Sequence, residues 1–208
     1  MPRGTTHLNG RDPMILRVTL ATTLALCLTS VASAGSGVSV GTARYADTAS
    51  VTMDGKPVNL TLTGAAMRVK LFVDVYAIGS YLQAGTTVHG AEELSAADVV
   101  KQLQLVMQRD VAGRDVAESF RSAIRANYPE PAFKAEVDAL VRMLREGTAR
   151  RGEQILLTHL PGVGLQVNVS GKEPFVIKNP AFSKAVWDIY LGRYNVGDAV
   201  KRGLVSGL

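Results

Sequence analysis

Residues 64–82, G-A-A-M-R-V-K-L-F-V-D-V-Y-A-I-G-S-Y-L, set the tightest limit on how this chain can fold. They form the longest apolar-rich run beyond the N-terminal segment. Side chains alternate between faces along an extended strand. Read as one strand, the run puts Leu71, Val73, Val75 and Ala77 on one face and Arg68, Lys70, Phe72, Asp74 and Tyr76 on the other. The first face must cover a core. The second mixes a guanidinium, an ammonium, a carboxylate and a phenol with bulky apolar groups. It is either a solvated outer surface or the floor of a pocket with a polar bottom.

The N-terminal segment has a different character. Arg17 leads into a short apolar stretch, residues 18–28, which ends at Ala32-Ser33-Ala34. A positive flank, a brief apolar stretch and a small-residue site are the parts of a secretory signal peptide. Residues 1–34 are therefore expected to be cleaved and the protein exported, with Met14 as a second start position. No further apolar run of spanning length follows, so no membrane span is expected in the mature chain. Cys27 is the only cysteine and falls inside this segment, so the mature chain has no disulfide framework and must rely on its core. Removing Arg3, Arg11, Arg17 and Asp12 leaves 20 basic against 17 acidic residues. That balance is mild, and no basic run is interleaved with aromatics, so no nucleic-acid partner is expected.

The mature chain is long enough for one domain with a sizeable core. Residues 35–49 are rich in small residues and read as a flexible leader, with the folded domain at 50–208. Residues 50–53, Asp54-Gly55-Lys56 and residues 58–63 form a hairpin, and Gly64 marks a bend before the long apolar run. Residues 83–93 are a loop. Ser95-Ala96-Ala97-Asp98 resembles a helix-capping box. Residues 102–108 alternate as a strand, with Lys101, Gln104, Gln108 and Arg109 exposed or at a sheet edge. Residues 115–127 and a second segment through Phe133, Val137, Leu140, Val141 and Leu144 have helical spacing, separated by Pro129 and Pro131. Residues 154–160 and 165–169 flank Pro161-Gly162-Val163-Gly164 as another hairpin. Residues 174–177 add a strand, Asn179-Pro180 opens a helix, and a last helix covers 198–205. Strands joined by tight turns, with helices between, predict an α+β fold with a mainly antiparallel sheet and helices on one side.

Chemistry-bearing clusters are sparse. His89 and His159 are isolated, so no metal site and no cofactor are expected. There is no G-x-S-x-G nucleophile elbow. Pro161-Gly162-Val163-Gly164 precedes no helix and reads as a turn, not a phosphate loop. Trp187 and Tyr190 read as core residues of their helix. Arg68 and Tyr76 remain, with two readings open. Either Arg68 pairs with Asp74 and Tyr76 merely packs, or Arg68 and Tyr76 together hold a carboxylate or a polarised carbonyl.

Several motifs resemble the chalcone isomerase superfamily. They are Gly64-x3-Arg68, then Val75-Tyr76-Ala77-Ile78-Gly79-x-Tyr81-Leu82, Arg109-Asp110-Val111, Leu160-Pro161-Gly162, Ala185-x4-Tyr190-Leu191-Gly192 and Val200-Lys201-x2-Leu204. The resemblance runs from about Val51 to Leu208. It implies an open-faced β-sandwich, a large antiparallel sheet under a layer of helices with a ligand cleft between them. The superfamily includes plant enzymes that close a chalcone ring, members that hold a fatty-acid carboxylate with an Arg and a Tyr, and a bacterial, often exported branch. By resemblance Arg68 matches the plant enzyme's guanidinium and Tyr76 its ketone-polarising Thr. The enzyme's helix Tyr, helix Asn and specificity Thr fall near Val116, Ala123 and Ile189. The enzymatic set is thus mostly lost, while Arg plus Tyr survives.

The resemblance therefore implies a non-catalytic domain that binds a small amphipathic, fatty-acid-like ligand. Arg68 and Tyr76 would hold the carboxylate, and Phe120 and Trp187 would stand in the apolar wall. An isomerase (intramolecular lyase) on an α,β-unsaturated ketone, using Arg68 and Tyr76, is the alternative. A structural envelope protein with an unidentified protein partner is the third reading. The bacterial branch and the signal peptide together imply the periplasm of a Gram-negative bacterium.

Overall fold

The structure is a computed structural model and describes residues 37–208. The signal-peptide reading of residues 1–34 lies outside them. The small-residue segment expected to be a loose leader is structured from its fourth residue onward. Strands β1 (Val38–Val40) and β2 (Ala43–Tyr45) pair as a hairpin, and β3 (Thr48–Met53) follows at once. Its anchor is Tyr45, which is fully buried. A Cβ built on Gly79 would lie 2.5 Å from the Tyr45 ring, so only glycine at 79 leaves room for that ring.

Asp54-Gly55 suits a two-residue hairpin turn, because both turn positions need positive φ. Here Asp54 (φ 51°) and Gly55 (φ 73°) join β3 to β4 (Lys56–Lys70). Gly64 does not end a strand. It lies at a bulge inside β4, where a Cβ would meet the carbonyl oxygen of Gly203 at 2.2 Å. The next turn is made by Leu71 (φ 49°) and Phe72 (φ 65°), which reverse the chain into β5 (Val73–Gln83). Residues 64–82 are therefore two arms of a hairpin and not one strand. Period-two alternation runs straight through the turn because no Gly, Asn or Pro marks it. Each side chain held in left-handed backbone costs roughly 1–2 kcal/mol, which the long β4–β5 ladder offsets. Leu71 and Phe72 are 83 % and 103 % exposed.

After α1 (Ala91–Ala96) come β6 (Lys101–Met107), β7 (Val111–Ala112), α2 (Gly113–Asn127), α3 (Lys134–Leu144) and β8 (Thr148–Ala149). Then β9 (Gln154–Leu160), β10 (Gly164–Val169), β11 (Phe175–Ile177), α4 (Pro180–Leu191) and α5 (Asp198–Leu204) complete the chain. Seven strands form one antiparallel sheet in the order β11-β10-β9-β6-β5-β4-β3. This is the expected α+β arrangement. Leu103, Leu105, Ile155 and Leu157 of the sheet share a core with Phe120 and Ile124 of α2, Leu140 of α3 and Phe182 of α4. A second core joins Tyr45, Leu60, Ala77, Tyr81 and Val106. No helix among the described residues is long and apolar enough to cross a membrane.

Two local expectations are overturned. The helix expected to start at Ser95 starts at Ala91. There Glu93 accepts a hydrogen bond from the His89 N–H at 2.9 Å. The Ser95 hydroxyl caps nothing and donates instead to Asp188 Oδ1 at 2.6 Å. Lys101, expected at an exposed position, is 1 % exposed because β6 is an inner strand. Its ammonium donates to the carbonyls of Leu94 (3.0 Å) and Ser95 (2.6 Å) at the end of α1, and it lies 5.2 Å from the Trp187 ring centroid. The carbonyls that α1 leaves unpaired are thus satisfied by a buried cation. Nearby, buried His159 contacts Ser183 Oγ and Asp98 Oδ1, each at 2.9 Å.

Burial, helped by the positive charge of Lys184 and opposed by Asp188 and Asp98, draws Lys101 down from 10.5 to about 7. The unfolded chain therefore binds more protons than the folded one between those values. Wild-type stability relative to Lys101→Met should be greatest above the unfolded value and should decline as pH falls to about 7. Urea unfolding of both proteins at about pH 10 and about pH 7 measures this. A difference that does not change with pH would refute it. Replacing Leu71-Phe72 with Asn-Gly should raise stability by about 1–2 kcal/mol, because those residues tolerate positive φ. A lower urea midpoint would mean that the two apolar side chains make stabilising contacts.

Candidate functional site

The register of β4 against β5 slips once near the hairpin tip. Lys70 pairs with Val73 and Val69 with Asp74, but Arg68 pairs with Tyr76. Val75 is the extra residue of a bulge. Unbulged pairing would set Arg68 opposite Val75 and turn Tyr76 toward Met67. The bulge makes Arg68 and Tyr76 direct cross-strand neighbours, close enough for their side chains to act on one group.

Tyr76 lies deep, with part of its surface on a cavity. Its phenol stands beside the Tyr190 hydroxyl of α4 and the Arg68 guanidinium. Burial pushes the Tyr76 phenol up, while the Tyr190 hydroxyl and the Arg68 charge pull it back. Tyr190 is driven well above its ordinary value by burial first, then by the Tyr76 phenol beside it. The two phenols lie side by side, so each makes ionisation of the other costly. Both phenols stay protonated at neutral pH. A protonated phenol beside a guanidinium has an O–H that can be donated to a ligand. One Arg68 nitrogen donates to the Val69 carbonyl. Among the ion pairs of the described residues none joins Arg68 to Asp74, which sits exposed near the tip opposite Val69. The simple Arg68–Asp74 pair is therefore not formed.

Arg68, Tyr76 and Tyr190 open onto a cavity of about 910 Å³ between the sheet and α2. Leu105, Met107 and Ile155 line its sheet side, and Val116, Phe120 and Ala123 its α2 side. Ile189 and the segment after α4, through Arg193, Tyr194 and Val196, complete the lining. Three carboxylates stand in this wall, and each has a partner of its own. Asp115 is 3.5 Å from Arg114, Glu118 is 3.4 Å from Arg121, and Asp198 accepts from Asn195 at 3.2 Å. The guanidinium of Arg68 is left to the cavity.

Of the residues singled out in the sequence, Arg68, Tyr76 and Phe120 line the cavity and Trp187 does not. Trp187 is fully buried beneath it, against Lys101 and 6.1 Å from the His159 ring. The positions matched by resemblance to the plant enzyme's Tyr, Asn and Thr are Val116, Ala123 and Ile189, all apolar and all on the cavity. Tyr190, which the reading of side-chain types assigned to the core, is in the core and also lines the cavity. The signal for it was its place in the Ala185-x4-Tyr190-Leu191-Gly192 motif. Among the described residues no group of three His, Cys, Asp or Glu lies together as a metal site would need.

Comparison with known proteins agrees with this architecture. Residues 37–206 match the family described as chalcone isomerase-like. A solved fatty-acid binding protein from Arabidopsis thaliana superposes with a TM-score of 0.55 at 18 % identity, over 76 % of this chain and 97 % of its own. At that identity the likeness is one of fold. No curated protein sequence matches the chain. The family match spans nearly the whole described region and the sheet-and-helix arrangement agrees with it, so this chain belongs to the chalcone isomerase-like family.

Proposed function

We propose that this protein is a non-catalytic binding domain for a small amphipathic carboxylic acid, held in the cavity between sheet and α2. The observation that carries the reading is a guanidinium with no carboxylate partner among the described residues, set beside a half-buried, protonated phenol at an apolar cavity. Arg68 would pair with the ligand carboxylate and Tyr76 would hydrogen-bond it. Tyr190 would act through Tyr76, as a positioning residue. The apolar tail would lie along Leu105, Phe120 and Ile155. The volume is within the range of roughly 300–1,000 Å³ common to small-molecule sites.

The same cavity argues against ring-closing catalysis. Stabilising an enolate needs polar groups aimed at the developing charge, worth about 3–4 kcal/mol per donor in well-studied cases. Val116, Ala123 and Ile189 offer none. Export rests on residues 17–34 alone. We propose that the mature protein begins at Gly35 and works outside the cytoplasm, which N-terminal sequencing of the protein from its native envelope would test.

Calorimetric titration with dodecanoate tests the binding reading. One equivalent should bind the wild type, and Arg68→Ala should weaken binding by about 10–100-fold, the value of a charge-assisted hydrogen bond. Tyr76→Phe should weaken it by a smaller factor. Unchanged affinity in a folded Arg68→Ala protein would remove the proposal. Turnover of a chalcone above the buffer rate would favour the isomerase instead.

A further inference from the structure

The tip of the β4–β5 hairpin is apolar, exposed and conformationally costly. Val69, Leu71, Phe72 and Val73 are all exposed, Phe72 completely. The chain shows what an unforced tight turn looks like, since Asp54-Gly55 makes one of the same kind one hairpin earlier. Leu71 and Phe72 adopt that left-handed backbone without the residues that favour it. They touch no core, so neither local geometry nor packing accounts for their identity. Exposed apolar clusters of this kind mark contact surfaces.

Two further observations say what the tip contacts. The first is its place, next to the cavity mouth. Arg68 and Lys70, on the arm that leads into the turn, line the cavity, as does exposed Tyr194. The second is charge. The register brings the end of β4, the start of β5, the end of β6 and the start of β9 to one end of the sheet. Lys70, Arg109, Arg150 and Arg151 are exposed there, and none of the four enters an ion pair among the described residues. The carboxylates beside them are Asp74, exposed at the tip opposite Val69, and Asp110 and Glu153, which accept the backbone N–H groups of Arg151 and Arg150 at 2.8 and 2.9 Å. A protein interface of standard size takes roughly 20–30 residues a side. A few protruding apolar side chains ringed by cations fit a bilayer with anionic headgroups better, with Leu and Phe below the headgroups and Lys and Arg among them.

We propose that the Leu71–Phe72 tip is a membrane-docking finger that seats the mouth of the cavity on an anionic lipid surface. The contact is peripheral and reversible, and it sets Lys70 and the Arg68 end of the cavity against the lipid from which an amphipathic acid would enter. Docking does not depend on the ligand, so the two ideas fail separately.

The test is co-sedimentation of the full mature protein with vesicles of phosphatidylglycerol and phosphatidylethanolamine, and with phosphatidylcholine vesicles as the neutral surface. The wild type should sediment with the anionic vesicles, less so at high salt, and hardly with the neutral ones. The Leu71→Asn/Phe72→Gly double variant, designed to keep the turn, should lose about tenfold or more of vesicle affinity. Its dodecanoate affinity measured without vesicles should stay within about twofold of wild type, because neither residue lines the cavity. Arg150→Gln/Arg151→Gln should weaken vesicle binding and flatten its salt dependence. A wild type that stays in the supernatant with anionic vesicles overturns the proposal, whatever protein the tip is then found to hold. Equal sedimentation of the double variant overturns it too.

Discussion

One residue's worth of register governs the site. Val75 is the extra residue in β5, and everything on the cavity side of the β4–β5 hairpin depends on it. Strand side chains have a period of two, so removing the bulge would exchange the faces of one arm beyond that point. Arg68 or Tyr76 would then turn to the opposite face, where Ala77 and Tyr81 pack with Tyr45. The bulge is held from both sides. The Val75 carbonyl accepts the Gln108 N–H at 3.0 Å, and Tyr76 is paired with Met107 of β6. The polar floor is thus specified by backbone pairing and does not rely on the side chains finding each other.

Burial then sets the chemistry of that floor. A phenol in water is a modest donor whose proton is shared with solvent. Tyr190 is nearly without solvent exposure and stands beside the Tyr76 phenol, so both hold their protons. A chain of two phenols and a guanidinium in apolar surroundings forms a donor array with no anion of its own. On the proposed reading, such an array would favour a bound carboxylate over water because the guanidinium and phenols are already in place. The paired carboxylates at the wall keep their own partners and so do not quench it.

Much of the fold was legible where the chain uses residues with strong local preferences. Asp54-Gly55, Pro161-Gly162 and Asn179-Pro180 mark turns and a helix start, and the apolar stripes of α2, α3 and α4 have helical spacing. The Leu71–Phe72 turn was invisible because its residues contradict the local rule, and only the ladder on either side makes it. That error also hid how the site works. In one strand Arg68 and Tyr76 would share a face but stand roughly 26 Å apart, too far to grip one group. The hairpin sets them side by side. Lys101 was misplaced for a related reason. Lysine in an alternating strand suggests exposure, and nothing local announces that α1 will end over it with two carbonyls to satisfy. Tyr190 could be flagged only by its motif, since an aromatic residue on an apolar helix usually just packs.

The docking of β1 and β2 has a consequence for the order in which this chain can fold. Tyr45 needs the bare backbone at Gly79, and the Thr42 N–H and hydroxyl are both received by the Gln108 side chain, at 2.9 and 3.1 Å. Gly79 is not made until β5, and Gln108 not until β6 is complete. Tyr45 packs with Val51 and Leu60, but the docking of β1 and β2 is not complete until Gln108, 66 residues after Thr42. As the polypeptide leaves a ribosome, the β1–β2 hairpin stays incompletely fastened while the central strands are made behind it. The earliest part of the sequence is among the last to be fastened down.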